Sequence, residues 1–148
     1  MQDTKKSIHE HAEGEYPFEC CGIITGSDLK QNVHRCNNLQ NKMHTEDPER
    51  FPRDARTAYF IERSEFNRII KNALSSGEKV LAFYHSHPDH EAYFSEEDHA
   101  AQTVFGEPEY PNALQIVISV ISGKVEEISA YQWDPITQHF KPSNDIGS

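Results

Sequence analysis

No apolar run in the chain approaches the roughly 18 residues that a membrane span requires, and the opening Met1-Gln2-Asp3-Thr4-Lys5-Lys6 is polar rather than secretory. A cytoplasmic address is the default expectation, with no membrane partner. Cysteine is scarce: Cys20, Cys21 and Cys36 are an odd number and the first two are adjacent, which does not fit a disulfide framework. Positive charge is in deficit. The 14 Lys and Arg against 24 Asp and Glu leave a net charge of −10, the wrong sign for a surface that must neutralise nucleic-acid phosphates. Between Val80 and Gly123 there is no Lys or Arg at all. Internal repeats and low-complexity blocks are absent as well.

What remains is one domain's worth of chain. The 148 residues, 36% hydrophobic and 26% charged, suit a soluble globular protein with some long polar loops. The spacing of Ile8, His11 and Ala12 predicts a short helix ending near Gly14. Cys21–Gly26 reads as a buried strand, followed by a turn at Gly26-Ser27-Asp28 and a hairpin partner over Gln31–Asn37. The polar stretch Asn38–Arg56, with Pro48, Pro52 and four charges of each sign, reads as a long loop of the kind that is usually functional or disordered. Thr57–Ile61 has strand composition. Phe66, Ile69, Ile70, Ala73 and Leu74 follow a helical period that Gly77 is placed to end. Lys79–His85 predicts a buried central strand, Ser95–Phe105 a second helix bearing Ala100, Ala101, Val104 and Phe105, and Gly106–Asn112 a break. Leu114–Ile121 and Val125–Trp133 form a hairpin around Ser122-Gly123. The sum is an α/β or α+β sheet with helices against it, over residues 1–140, with 141–148 as a flexible tail.

The chemistry concentrates between Phe83 and Ala101. His85 and His87 are two apart where a buried strand runs out, so both rings point to one side, and Pro88 stops the strand after them. Asp98 follows His87 by eleven residues, on the first turn of the predicted helix. Two imidazoles and one carboxylate are a zinc ligand set that leaves a fourth position for water, whose pKa the metal lowers to about 7. Each part also has an ordinary reading. Ser95-Glu96-Glu97-Asp98 is a capping box, and a lone His85 in an aromatic strand would be a hydrogen-bonded core residue. Nucleobase deaminases are excluded because HxE and PCxxC are missing, and HExxH proteases because Ala92-Tyr93-Phe94 follows His90-Glu91.

His85-x-His87-Pro88 with Ser95-x-x-Asp98, preceded by Glu19-Cys20-Cys21-Gly22 and an apolar strand, resembles the JAMM (MPN+) metalloprotease family, most closely its small stand-alone prokaryotic members. The resemblance covers about Tyr16 to Trp133. It implies a single domain with a central curved mixed sheet flanked by helices. It also implies one zinc ion on His85, His87 and Asp98. Glu19 would then be the general base that takes a proton from zinc-bound water and passes it to the leaving amine, and Ser95 an oxyanion donor. The implied activity is hydrolysis of an amide or isopeptide bond after the C-terminal Gly-Gly of a ubiquitin-like or sulfur-carrier protein. Substrate contacts are expected in the Asn38–Arg56 loop and over Ala92–Phe94, with Tyr93 and Phe94 as the side chains. Ala101–Leu114 is too short for the second metal cluster of the larger eukaryotic enzymes. A non-catalytic scaffold of the MPN type and a zinc hydrolase of small peptides are the competing readings.

Other residues read as bystanders. His90 and His99 flank the site without holding ligand positions. Cys20 and Cys21 form no CxxC and read as small buried hydrophobes. His9, His11, His34, His44 and His139 share no spacing. The N-terminal segment is short for the family, which leaves room for a partner chain to complete that edge. Asp89, Glu91, Glu96, Glu97, Asp98, Glu107 and Glu109 give the segment that carries the histidines a negative rim, expected to favour divalent cations and a basic partner tail.

Overall fold

The computed structural model describes residues 2–28, 30–96, 98–99, 103–104 and 107–143. Helix α1 (Gln2–Glu15) buries Ile8, His11 and Ala12, the spacing that identified it, and fills out the N-terminal element. Strands β1 (Cys21–Gly26) and β2 (Gln31–Cys36) form the expected antiparallel hairpin. Helix α3 (Arg63–Ser75) follows, and strand β3 (Lys79–Pro88) runs three residues past His85. The short strands β4 (Thr103–Val104) and β5 (Glu107–Pro108) pair with each other. The hairpin of β6 (Leu114–Ile121) and β7 (Lys124–Asp134) and a last strand β8 (His139–Ser143) complete a six-stranded sheet in the order β2-β1-β3-β6-β7-β8. Only β3 and β6 in that sheet run parallel, and a parallel pair needs a long crossover. Residues 89–113 supply it, and they carry much of the candidate site. Among the described residues no helix is long and apolar enough to cross a membrane.

The core is split by the sheet. On one face Ile8 and Ala12 of α1 pack with Ile24, Ala82, Tyr84, Ile116, Ile118 and Val120; on the other, Ile69 and Ile70 of α3 pack with Cys21, Ile23, Cys36 and Phe83. The two-residue period of β3 thus sends Ala82 and Tyr84 to the α1 side and Phe83 to the α3 side. Every residue of β1 is buried, as a strand covered on both faces requires.

Five expectations need correction. Asn38–Arg56 is not all loop: Gln40–Glu46 forms helix α2, anchored by buried Gln40, whose Nε2 donates to the Arg53 carbonyl at 2.9 Å. Thr57–Ile61 is not a strand: the Phe60 carbonyl accepts from the Leu39 amide and the Phe60 amide donates to Asn38 Oδ1, so its backbone is paired outside the sheet, and Tyr59 and Ile61 cap the α3-side core. In α3, Leu74 faces solvent at 61% exposure while Ile69, Ile70 and Ala73 carry the buried face, and Gly77 follows with φ +76°. The predicted helix over Ser95–Phe105 is not continuous. Residues 96, 98 and 99 are helical, but Thr103–Val104 is extended, while Ala100, Ala101 and Phe105 lie outside the described residues. Finally, Lys141, Pro142 and Ser143 belong to β8, where Lys141 pairs with Asp134 at 2.8 Å; residues 144–148 lie outside the described residues.

Candidate metal centre

His85 and His87 stand at the C-terminal end of β3, the end of a parallel strand where open mixed sheets place ligands. Both are buried, as is Asp98. The His85 Nε2 to His87 Nε2 distance is 3.2 Å, and Asp98 Oδ2 lies 3.0 Å from the former and 3.1 Å from the latter. Two donors bound about 2.0–2.1 Å from one tetrahedral ion are roughly 3.3 Å apart, so this triangle has nearly the edge that zinc requires. Its protonation pattern points the same way. His87 Nδ1 lies 2.9 Å from the Glu91 carbonyl oxygen, which can only accept. In the neutral ring that places the proton on Nδ1 and leaves the Nε2 lone pair facing Asp98. Lone pairs converging at 3.1 Å call for a shared cation, either a metal ion or a proton. Burial opposes ionisation of Asp98, but the charges and hydrogen bonds of His85 and His87 outweigh it and hold the carboxyl well below the usual range.

The connection from β3 to the Asp98 turn is fastened residue by residue. Asp89, at φ +59°, accepts from Tyr16 Oη at 2.7 Å and from the Ser122 amide at 2.9 Å. Ser119 Oγ donates to the His90 carbonyl, and Tyr131 Oη to that of Ala92 at 2.6 Å. Ser95 and Asp98 form the capping box: the Asp98 amide donates to Ser95 Oγ at 3.0 Å and the Ser95 amide to Asp98 Oδ2 at 3.1 Å. Ser95 Oγ is therefore an acceptor from the backbone, and its own hydroxyl proton is left to donate elsewhere. The capping role and a chemical role coexist in one residue.

Glu19 approaches from the other side. Its amide donates to the Ala55 carbonyl at 2.7 Å, and its carbonyl accepts from Asn38 Nδ2 at 2.9 Å, so residues on either side of α2 clamp it. The side chain is 4% exposed, and its Oε1 has no hydrogen-bond partner. Burial, then the charge of Asp98, push its pKa well above the carboxylate norm, with Arg53 opposing. An orphaned carboxylate oxygen beside a ligand triangle is a place for a water or a substrate proton.

Most of these groups line one polar cleft of about 300 Å³. Glu19, Arg53 and Thr57 of the lining come from the first part of the chain; His87, His90, Tyr93, Ser95 and Asp98 come from the end of β3 and the crossover after it. His90 thus touches the cleft without joining the triangle. Tyr93, half exposed, sets its ring edge-on to His87 at 5.3 Å. Phe94 sits instead in an adjoining groove with Ser95, Glu96, His99, His139 and Phe140, its ring 4.6 Å from that of Phe140. Sequence reasoning named the Asn38–Arg56 loop but neither Arg53 nor Tyr59, whose ring stacks on His85 at 4.8 Å. Nothing in the local pattern of a polar loop marks which of its side chains will turn inward.

Of the seven acidic residues expected as a rim, Asp98 is in the triangle, Asp89 is engaged by Tyr16 and Ser122, and Glu109 pairs with Arg63 at 2.9 Å. Glu91 and Glu96 are exposed; the Glu97 and Glu107 side chains lie outside the described residues. Cys20, Cys21 and Cys36 are buried free thiols, and burial pushes Cys20 and Cys36 up to about 12.

Residues 1–134 match the family described as prokaryotic homologs of the JAB domain. The chain belongs to that family. A desampylase from Haloferax volcanii is 29% identical over 91 residues, 59% of this chain and 59% of the relative, so the likeness spans about three-fifths of each protein. The fold also resembles solution structures of a Desulfitobacterium hafniense protein (TM-score 0.69, 18% identity, 97% of this chain and 87% of the other) and a Salinibacter ruber protein (TM-score 0.62, 25% identity, 100% and 92%). The JAB-domain chain has the mixed sheet flanked by helices that the JAMM resemblance implied.

Proposed function

We propose that this JAB-domain protein is a zinc-dependent peptidase that hydrolyses the amide bond after the C-terminal Gly-Gly of a ubiquitin-like or sulfur-carrier protein. The observation that carries the reading is the triangle of His85, His87 and Asp98, of which His87 and Asp98 line one cleft with a buried Glu19 whose Oε1 is unpartnered. Family membership and the likeness to a desampylase support it. A bound zinc ion supplies the Lewis acid that acidifies water and polarises the scissile carbonyl.

The chain's own groups do the rest. Glu19 takes the proton released as water attacks and hands it to the leaving nitrogen. Its raised pKa brings it nearer the working pH, where a group can both accept and return a proton. Ser95 donates its hydroxyl proton to the developing oxyanion. Tyr93 lines the cleft beside His87 and Phe94 lines the groove that adjoins it, positions suited to holding an extended tail.

The test joins metal content to cleavage. Purified protein is expected to carry one zinc ion and to trim a ubiquitin-like protein extended beyond Gly-Gly. Glu19→Gln should keep the metal and lose about a hundredfold or more of the rate. A zinc-free active protein, or an unchanged rate in Glu19→Gln, would refute the reading.

A further inference from the structure

The cleft holds a cationic side chain that the proposed chemistry leaves unused. Arg53 is the only Lys or Arg among the described residues lining it, and the whole segment from Val80 to Gly123, which supplies its lining from His87 to Asp98, has none. Its backbone is fixed by Gln40, and its Nη1 donates to the Thr57 carbonyl at 3.3 Å. It is two residues from Ala55, whose carbonyl receives the Glu19 amide. The cation and the group that protonates the leaving nitrogen are thus held by the same segment, and their charges are felt by one another.

This juxtaposition selects among leaving groups. In an α-amino acid a single carbon separates the amine from its carboxylate. A leaving amine protonated by Glu19 would then bring that carboxylate to the Arg53 side of the cleft. A lysine side chain joined through its ε-nitrogen has no carboxylate near that atom. We propose that Arg53 reads the free α-carboxylate of a short C-terminal extension, making the protein a trimmer of linear tails rather than a cleaver of lysine-branched conjugates. The guanidinium fork matches a carboxylate in geometry as well as charge. The inference rests on the peptidase reading and narrows its substrate.

The experiment uses three peptides with a common Gly-Gly-containing sequence, ended by one further residue as the free acid, by the same residue as the amide, or by an isopeptide-linked lysine. The zinc-loaded protein should favour the free acid over the amide by about 10–100-fold in kcat/KM, mostly through KM. Arg53→Gln should bring that ratio near one, and Arg53→Lys should restore part of it. Isothermal titration with the matching uncleavable reduced-amide peptides, acid against amide, should show the same dependence without turnover. Equal use of acid and amide by the wild type, or preference for the branched peptide, overturns the proposal and leaves the peptidase reading intact. So does an equal loss on all peptides in Arg53→Gln with a shifted pH profile, which would mean that Arg53 acts only through Glu19. If no peptide is cleaved the peptidase reading fails, and the titration alone decides on Arg53.

Discussion

Tyr84 and His85 are neighbours in one strand and look into opposite halves of the molecule, each meeting a buried histidine environment. On the α1 side, Tyr84 Oη lies 2.7 Å from Nδ1 of His11. There burial, then the charge of Arg35, drive the imidazole pKa down to about 4. On the α3 side, His85 joins His87 and Asp98 in a triangle of atoms 3.0–3.2 Å apart. The first histidine is kept neutral by burial, with the Tyr84 hydroxyl at one ring nitrogen and the Glu15 carboxylate 3.9 Å from the other, which is structure. The second pair meets a carboxylate, with an orphaned carboxylate oxygen lining the same cleft. Burial of a histidine is therefore uninformative by itself; what distinguishes a site is whether the buried groups satisfy one another without an ion.

The sharpest way to break the comparison is to remove the carboxylate. Asp98→Asn keeps the shape of the triangle and the capping contacts but loses the charge that offsets a dication. Zinc affinity and peptidase rate should each fall about a thousandfold or more, about 4 kcal/mol, as read by metal analysis of dialysed protein and by cleavage kinetics. If Asp98→Asn retains stoichiometric zinc at nanomolar free metal, the triangle is not the ligand set.

A comparably severe test lies on the other face. A Cβ at Gly22 would fall inside van der Waals contact with Tyr84 Cε1, Cζ and Oη, and Tyr84 is 1% exposed with nowhere to retreat. Gly22→Ala should cost about 3 kcal/mol by overpacking, visible as a lower urea midpoint. Its metal content should survive in the folded fraction, because the damage is on the α1 side of β3. Loss of zinc without loss of stability would show that the two faces are not independent.

How much of this was legible beforehand follows from where the information sits. The triangle could be read because its parts obey local rules: a two-residue strand period for His85 and His87, and a capping box that puts Asp98 on a first helical turn. The β1–β2 and β6–β7 hairpins and helix α3 were legible for the same reason. Thr57–Ile61 misled because Tyr59, Phe60 and Ile61 have the composition of a strand. Yet whether a strand forms depends on where its backbone finds partners, which is a property of the whole topology. The role of Arg53 was hidden because only the α2 turn, with Gln40 holding its carbonyl, carries it to the cleft. The extended backbone at Thr103–Val104 is likewise invisible to a helical pattern that Ala100, Ala101, Val104 and Phe105 satisfy on paper.

A smaller effect separates the two histidine environments by pH. His11 titrates near 6.5 when unfolded and at about 4 in the fold, so between those values the unfolded chain binds the extra proton. Its neutral form therefore favours the fold fully above pH 6.5, and that contribution is lost as pH falls from 6.5 through 4. The loss should be about 2–3 kcal/mol, given that the ring is 6% exposed. In urea titrations at pH 7 and 4.5, His11→Leu should show a markedly shallower decline than the wild type. An equally steep decline in both would place the acid sensitivity elsewhere.

The least disruptive change tests what holds His11 neutral. If its low pKa came from the Tyr84 hydroxyl, removing that hydroxyl would let the imidazole titrate closer to 6.5 and compress the pH window. Burial and the Arg35 charge are the causes found here, and both survive in Tyr84→Phe. That variant should lose only about 1 kcal/mol at neutral pH, the worth of one buried hydrogen bond, while the stability difference between pH 7 and 4.5 stays that of the wild type. It should also fail to rescue Gly22→Ala, because Cε1 and Cζ of the ring remain where the new methyl must go. NMR titration of the His11 ring in Tyr84→Phe gives the direct reading. A pKa raised toward 6.5 would transfer control from the apolar layer to the hydroxyl, and would make the α1-side pair a tuned polar site like its counterpart across the strand.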